Sequence, residues 1–304
     1  MKSAQTMYSR LSARRFSRGT TLIELMVGLT IGLILIIIAS VVYLYSKQSF
    51  NAVTENSQME ENGRFAIDLL TKYIQSAGFA MVDPTAPGPT LPLEDKLAGC
   101  AYGYANATAP TTLSDLACRT ATPTGARPSA SISTRYETDA YASSTGKQQG
   151  FDCTSAAAAS KLLAGGVQTY EVRSYFFVSQ VVAQTPYGTR SMGQLSCVSD
   201  TTPIVDGVLG TVALQAQPLV PGIEQLAISY ISAAGQVVAV PTTAAGWKDI
   251  AAIDLCVLAR TIQSSGNDTG TAYTDCYGTA IAANPTETYR TIRSTVALRN
   301  TASL

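Results

Sequence analysis

Histidine is absent from the 304 residues. With it go the Ser-His-Asp and Cys-His relays of nucleophilic catalysis, which need an imidazole as the general base. The six cysteines are Cys100, Cys118, Cys153, Cys197, Cys256 and Cys276. None belongs to a C-x-x-C pair, so a zinc site would have to assemble from scattered thiolates and carboxylates. Neither a metal nor another cofactor is expected. Charge is scarce at 14% and lacks a basic cluster in the body of the chain. Five of the 21 basic residues lie in positions 1–19 beside no acid, leaving 16 against 21 acids afterwards. Such a body is no nucleic-acid surface. The Gly-Lys of "SSTGKQQG" lacks the upstream glycine and following Ser/Thr of a phosphate loop. In "SSGNDTGTAYTD", Asp268 and Asp275 offer oxygens to a cation such as calcium, but their spacing fits no EF-hand, and a solvated loop is the preferred reading. There is no internal repeat.

Proline is also missing, from residue 1 to 83, and what fills that span is apolar. The stretch reads "RRFSRGTTLIELMVGLTIGLILIIIASVVYLYS". Between Glu24 and Lys47 lie 22 uncharged residues, about 33 Å of helix, enough to cross a hydrocarbon core. A secretory signal would carry a shorter apolar region and a small-residue cleavage site after it. The basic flank at positions 1–19 therefore reads as cytoplasmic, with the remainder across the membrane. All six cysteines follow the span, which fits three disulfides in an oxidising compartment. Sequence leaves the pairing open; joining nearest neighbours is the expectation adopted. A single glutamate at the doorway of the apolar run is unusual, because charge in a membrane is costly.

Downstream, Phe65, Ala66, Leu69, Leu70, Tyr73, Ile74 and Ala77 recur at helical spacing. Gly78 supplies a stop. One helix from about Thr21 to Ala77 is predicted, apolar all round at first and amphipathic later. Gly28 and Gly32 form a G-x-x-x-G step, a device for close helix packing in membranes. Residues 80–165 are rich in Pro, Gly, Ala, Ser and Thr and read as a loop-rich, disulfide-bearing insertion. From about 166, "TYEVRSYFFVSQ", "GIEQLAISYIS", "QVVAV", "DIAAIDLCVLART" and "YRTIRSTVALRN" read as strands. With no helices between them, the sheet should be antiparallel. The expected class is α+β, a long N-terminal helix packed on an antiparallel sheet.

The segment "RGTTLIELMVGLTIGLILI" resembles the class III leader of type IV pilins and type II pseudopilins: basic residues, glycine, one residue, then T-L-I-E-L. "QMEENGRFAIDLLTKYIQSAGF", "GIEQLAISY", "DIAAIDLCVLART" and "TIRSTVALRN" resemble the PilW minor pilins. In that family a peptidase cuts after the glycine, the new amino terminus is methylated, and glutamate stands at mature position five. The resemblance assigns those roles to Gly19, Thr20 and Glu24, although Thr20 stands where the family usually has phenylalanine. It implies a leader over 1–19, a helix over 20–78 and a periplasmic pilin domain over 79–304. The implied function is that of a non-enzymatic subunit of the complex that primes pilus assembly near the tip. Its implied partners are other minor pilins, the major pilin, a PilY-type tip adhesin, the prepilin peptidase and the inner-membrane assembly platform. The implied location is the bacterial inner membrane, single pass, and later the pilus. A J-type pseudopilin of a secretion system, or a membrane-anchored binding protein or enzyme, is the alternative.

Overall fold

A computed structural model of the chain describes residues 19–80, 96–108, 110–124, 127–138, 141–143, 146–148, 152–154, 159–162, 168–185, 188–199, 204–205, 208–209, 214–262, 272–282 and 287–300. The expected leader lies outside them except for Gly19, as does Asp268. The chain divides into two compact units, residues 1–50 and 51–304.

Helix α1 runs over Leu22–Ser76, 55 residues without a break. Its start, in the first unit, is exposed nearly all round, Leu22 through Tyr45 included. That part is long and apolar enough to cross a membrane. In the second unit the helix acquires a buried face: Met59, Gly63, Ala66, Ile67, Leu70 and Ile74. This is the amphipathic stripe the spacing predicts, with one correction. Phe65 is 53% exposed, because it lies one step round the helix from Ala66 and faces away from the sheets.

Among the described residues, the remaining elements are strands and two short helical pieces. β1 (Leu97–Cys100) is followed by a 3-10 turn at Leu113–Leu116 and by β2 (Ser131–Thr138). The hairpin β3 (Tyr141–Ser143) and β4 (Gly146–Gln148) precedes β5 (Ala159–Leu162), β6 (Gln168–Thr185) and β7 (Gly188–Ser199). A second small hairpin, β8 (Ile204–Val205) and β9 (Val208–Leu209), leads to β10 (Gln217–Pro221). Then come β11 (Ile223–Ser232), β12 (Val237–Val238), helix α2 (Ala244–Lys248) and β13 (Ile250–Arg260). The pair β14 (Tyr273–Thr274) and β15 (Ala280–Ile281) precedes β16 (Tyr289–Ala297).

Two sheets carry the body. One has the order β1-β2-β6-β7-β10, with β5 also on β6; the other has the order β12-β11-β13-β16. Their pairings are antiparallel, as expected for strands joined without crossover helices. Ile132, Phe176, Leu195, Ile223, Leu226, Ile253, Leu255 and Val257 share one core with the buried helix face. Within it the Tyr73 ring sits 4.9 Å from that of Phe176. The protein is thus α+β, with the amphipathic part of a long apolar helix packed on antiparallel sheets.

β6 is buried on both faces, so its alternation is incomplete. Val172, Ser174 and Phe176 lie on one side, while Phe177 joins Cys100, Tyr104, Leu116, Val198 and Leu214 on the other. Ser174, which interrupts the apolar pattern, is fully buried and its hydroxyl has no partner. The second cover comes from residues between Cys100 and Cys118, and the stretch expected as a loop-rich, disulfide-bearing insertion also contributes strands to the sheet. It contains β1 and β2, the latter paired with β6 from Ile132↔Phe176 to Thr138↔Tyr170. The polar "SISTRYET" hides a strand because it is flanked by partners on both sides and needs few large side chains.

The disulfides join Cys100–Cys118, Cys153–Cys197 and Cys256–Cys276, with Cα separations of 5.2, 6.3 and 5.7 Å. The first closes the outer layer over β6, and the second ties residues 152–154 to β7. The third holds the β14–β15 segment to β13, with Ala227 and Leu258 packed around it.

Candidate functional site

The start of α1 is built around Thr21. Its Oγ1 accepts the backbone N–H of Glu24 at 3.2 Å, and its carbonyl accepts that of Leu25. This makes Thr21 the N-cap and Glu24 the third helical residue, in a T-x-x-E arrangement. A carboxylate there also lies at the positive end of the helix dipole, worth about 0.3–1 kcal/mol when exposed. Gly19 and Thr20 precede the helix and are exposed. Cleavage after Gly19 would therefore leave an amine one residue before an intact cap. The T-x-x-E pattern of Thr21 and Glu24 stands in the sequence itself. Gly28 and Gly32 follow on the helix; a Cβ at either would meet nothing within 4 Å. Within a single chain neither glycine is needed for space.

The other end of the helix is held by Gly78 just beyond it and by the more distant Lys96 and Asn300. Gly78 has φ +80° and donates its N–H to the Arg135 carbonyl at 2.8 Å. The Asn300 amide reaches the carbonyls of Gln75, Ser76 and Ala77, closest to Ala77 at 3.1 Å. Lys96, 1% exposed, donates from Nζ to the Asn300 carbonyl at 3.2 Å. Burial lowers the Lys96 pKa, while the helix's negative end offers its cation a favourable place. Residues from both ends of the globular unit thus terminate one helix. Gly78 was expected as the stop; Asn300 was not, since nothing local marks a cap that arrives from over 200 positions away, and nor was Lys96, which acts through Asn300.

Upstream, the helix crosses β13 and β16 at Gly63. A Cβ there would stand 2.2 Å from Ile292 Cδ1 and 3.2 Å from Ala259 Cβ. The neighbouring Asn62 donates to the Pro221 carbonyl at 3.3 Å, and Glu60 pairs with Arg290 of β16 and with Arg64, the latter at 3.8 Å. An Asn-Gly step inside a helix costs stability; here it permits the close crossing.

A charged joint links the two sheets. Arg260, at the end of β13, lies 3.2 Å from Glu224 and 3.4 Å from Glu287, and donates to the Ser191 carbonyl of β7 at 3.0 Å. Arg190 of β7 reaches Glu287 at 3.3 Å. Glu224 also accepts the Gly193 N–H at 2.8 Å. Burial alone would lower the Arg260 pKa, but facing carboxylates, Glu224 foremost, raise it overall. Tyr289 donates to Glu287 at 2.5 Å; burial first, and then that bond, push its pKa up to about 12. These groups pair with one another across the two sheets. Asp275 is similarly engaged: it accepts the N–H groups of Tyr277 and Thr279 at 2.9 and 2.8 Å. It braces its turn, and no group of metal-ligating side chains occurs among the described residues.

The start of α1 and the C-terminal strands are where likeness to known proteins falls. Residues 14–40 match the model of the prokaryotic N-terminal methylation motif, which contains Gly19, Thr20 and Glu24. Residues 176–300 match the family of the type IV pilus-assembly protein W, PilW. Over these two ranges the chain is similar to PilW-type pilus proteins and to chains with the methylation motif. The PilW match runs from Phe176 in β6 to Asn300, the residue that caps α1; the "ENGRF" helix segment lies outside both matched ranges. A type IV-like pilin from Thermus thermophilus is similar at 11% identity, covering 80% of this chain and 98% of that one, with a TM-score of 0.37. No curated protein matches. The methylation motif coincides with the start of the apolar helix that is long enough to cross a membrane.

Proposed function

We propose that this PilW-like protein is a minor pilin: a structural subunit of the complex that initiates type IV pilus assembly and remains near the tip. The observation that carries the proposal is the conjunction, in one chain, of a methylation motif over residues 14–40 and a PilW match over 176–300. A pseudopilin of a secretion system would share the first but gives no reason for the second. On this reading the leader ends at Gly19, Thr20 becomes a methylated amino terminus, and residues from about 79 onward lie in the periplasm. The exposed apolar start of α1 then serves twice, in lipid before assembly and against other subunits' helices afterwards. Other minor pilins, the major pilin, a tip adhesin of PilY type, the prepilin peptidase and the assembly platform are the partners this reading names.

Mass spectrometry of the native amino terminus tests it. A chain beginning at N-methylated Thr20 is expected in cells with an active prepilin peptidase, and Gly19→Val should leave the precursor uncut, because a branched side chain crowds the scissile bond. A native protein that keeps Met1 in such cells would rule the reading out.

A further inference from the structure

A cavity of about 490 Å³ opens between the outer layer and the sheet, within the usual size range of small-molecule sites. Arg119, Arg127, Phe177, Gln180, Ser191 and Glu224 are among its walls. Three of these decide what it can hold. The Arg127 guanidinium lies 4.8 Å from the centroid of the Tyr289 ring and 5.6 Å from that of Tyr273. Those two rings stack at 4.4 Å, so the cation is held on an aromatic platform rather than on a carboxylate. Its Nη1 is buried without a well-aligned partner, and the Tyr273 hydroxyl interacts with the guanidinium. Arg119 adds a second guanidinium, anchored by its Nη2 to the Ala105 carbonyl at 2.8 Å and by its backbone N–H to Gly103 at 3.0 Å. The Cys100–Cys118 disulfide adjoins that anchor.

Glu224 lines the same cavity with its carboxylate already bonded to the Gly193 N–H and paired with Arg260. A carboxylate has roughly four lone-pair sites, so it retains capacity to accept from a ligand's donors. A bare anion would satisfy the arginines and face Glu224 with nothing to offer. A neutral polyol would do the reverse. We propose that this cavity binds a small carboxylate that carries hydrogen-bond donors away from its carboxyl group. The carboxylate takes the Arg127 and Arg119 forks, for which guanidinium geometry is suited, and the donors take Glu224, Ser191 and Gln180. Two sources share that chemistry, a sugar acid and an amino acid.

Full-length protein in detergent micelles, titrated calorimetrically with glucuronate, glutamine and glucose, tests this. Saturable binding of glucuronate or of glutamine, with glucose at least about tenfold weaker, is expected, and which of the two binds identifies the source. Arg127→Gln should weaken that binding about tenfold or more, the scale of one lost charge-assisted bond. Arg119→Gln, which leaves the tyrosine stack untouched, should weaken it as well and serves if the Arg127 variant misfolds. The proposal fails if neither carboxylate saturates up to about 10 mM, if glucose binds as well as they do, or if a folded arginine variant binds undiminished.

Discussion

At the scale of single residues, two side-chain environments make opposite demands. Gly63 is valuable for what it lacks: the helix approaches Ala259 and Ile292 so closely that any Cβ must displace Ile292. Gly63→Val should destabilise the protein by about 1–3 kcal/mol, the usual cost of overpacking, despite removing a helical glycine. Gly28→Ala, where a Cβ meets nothing, should leave the melting temperature of the globular unit unchanged in the same calorimetric comparison. Tyr104 is the converse case, a ring that packs edge-on to Phe177 at 5.9 Å while its hydroxyl is buried with no partner. Burial foremost raises its pKa well above the ordinary value. The phenol must then stay protonated in the folded state but ionises near pH 10 in the unfolded chain. Its contribution is complete below pH 10 and declines above it, by about 1.4 kcal/mol per pH unit until the folded pKa is reached. Tyr104→Phe should be at least as stable as the wild type at pH 7, because it removes an unpaired buried hydroxyl, and should lose stability less steeply between pH 10 and 12 in denaturant titrations. Equal alkaline slopes would show that the hydroxyl is not buried from solvent.

At the scale of elements, the caps of α1 show how distant parts of the chain define one helix. Asn300→Ala removes the amide that meets three terminal carbonyls, and about 1–2 kcal/mol should go with it. Hydrogen exchange should accelerate at the amides of the last turn of α1, with the sheet interiors unaffected; uniform acceleration would mean that Asn300 acts globally instead. Legibility followed the same division between local and remote causes. The helix and its end were readable, because a missing proline, an apolar run and Gly78 all act within a few residues. β6, β11, β13 and β16 were readable from β-branched and aromatic runs. β10 was hidden by Pro218 and Pro221, which an edge strand tolerates, and β7 by glycine and serine: Gly193 sits where a Cβ would meet the Ile223 carbonyl at 2.3 Å, and Ser196 bonds to Ser179 across the pair. The short α2 was also missed; Thr243 caps it and Trp247, tucked 5.0 Å from the Tyr230 ring, secures it. Nothing in the sequence joins Arg260 to Glu224 and Glu287, since only the pairing of β11, β13 and β16 brings them together. At the start of α1 the sequence shows the T-x-x-E of Thr21 and Glu24, and the structure adds that the Thr21 hydroxyl supplies the cap.

At the scale of the whole molecule, Glu24 has two candidate tasks that predict different phenotypes. Locally, it is the third residue of a helix capped by Thr21, where its charge adds only a few tenths of a kcal/mol. In the proposed assembly, cleavage after Gly19 places a positive amine at Thr20 beside the apolar run. A carboxylate four residues on can partly neutralise it within one chain. The alternative is the amine of an adjacent subunit, where a charge pair in a low-dielectric surrounding fixes axial register, since either charge left alone is costly. The local task does not require a membrane doorway, because any capped helix start would serve. The intersubunit task does, and it is the one that accounts for a lone charge at the head of 22 uncharged residues. Glu24→Ala should therefore be cleaved normally, since the cut lies five residues upstream at Gly19, yet should co-purify poorly with the other minor pilins. Processing is read from the mature mass, and incorporation from the yield of the complex against the wild type. Full recovery of the mutant in that complex would reduce Glu24 to a helix-capping charge and leave axial register to the apolar surface alone.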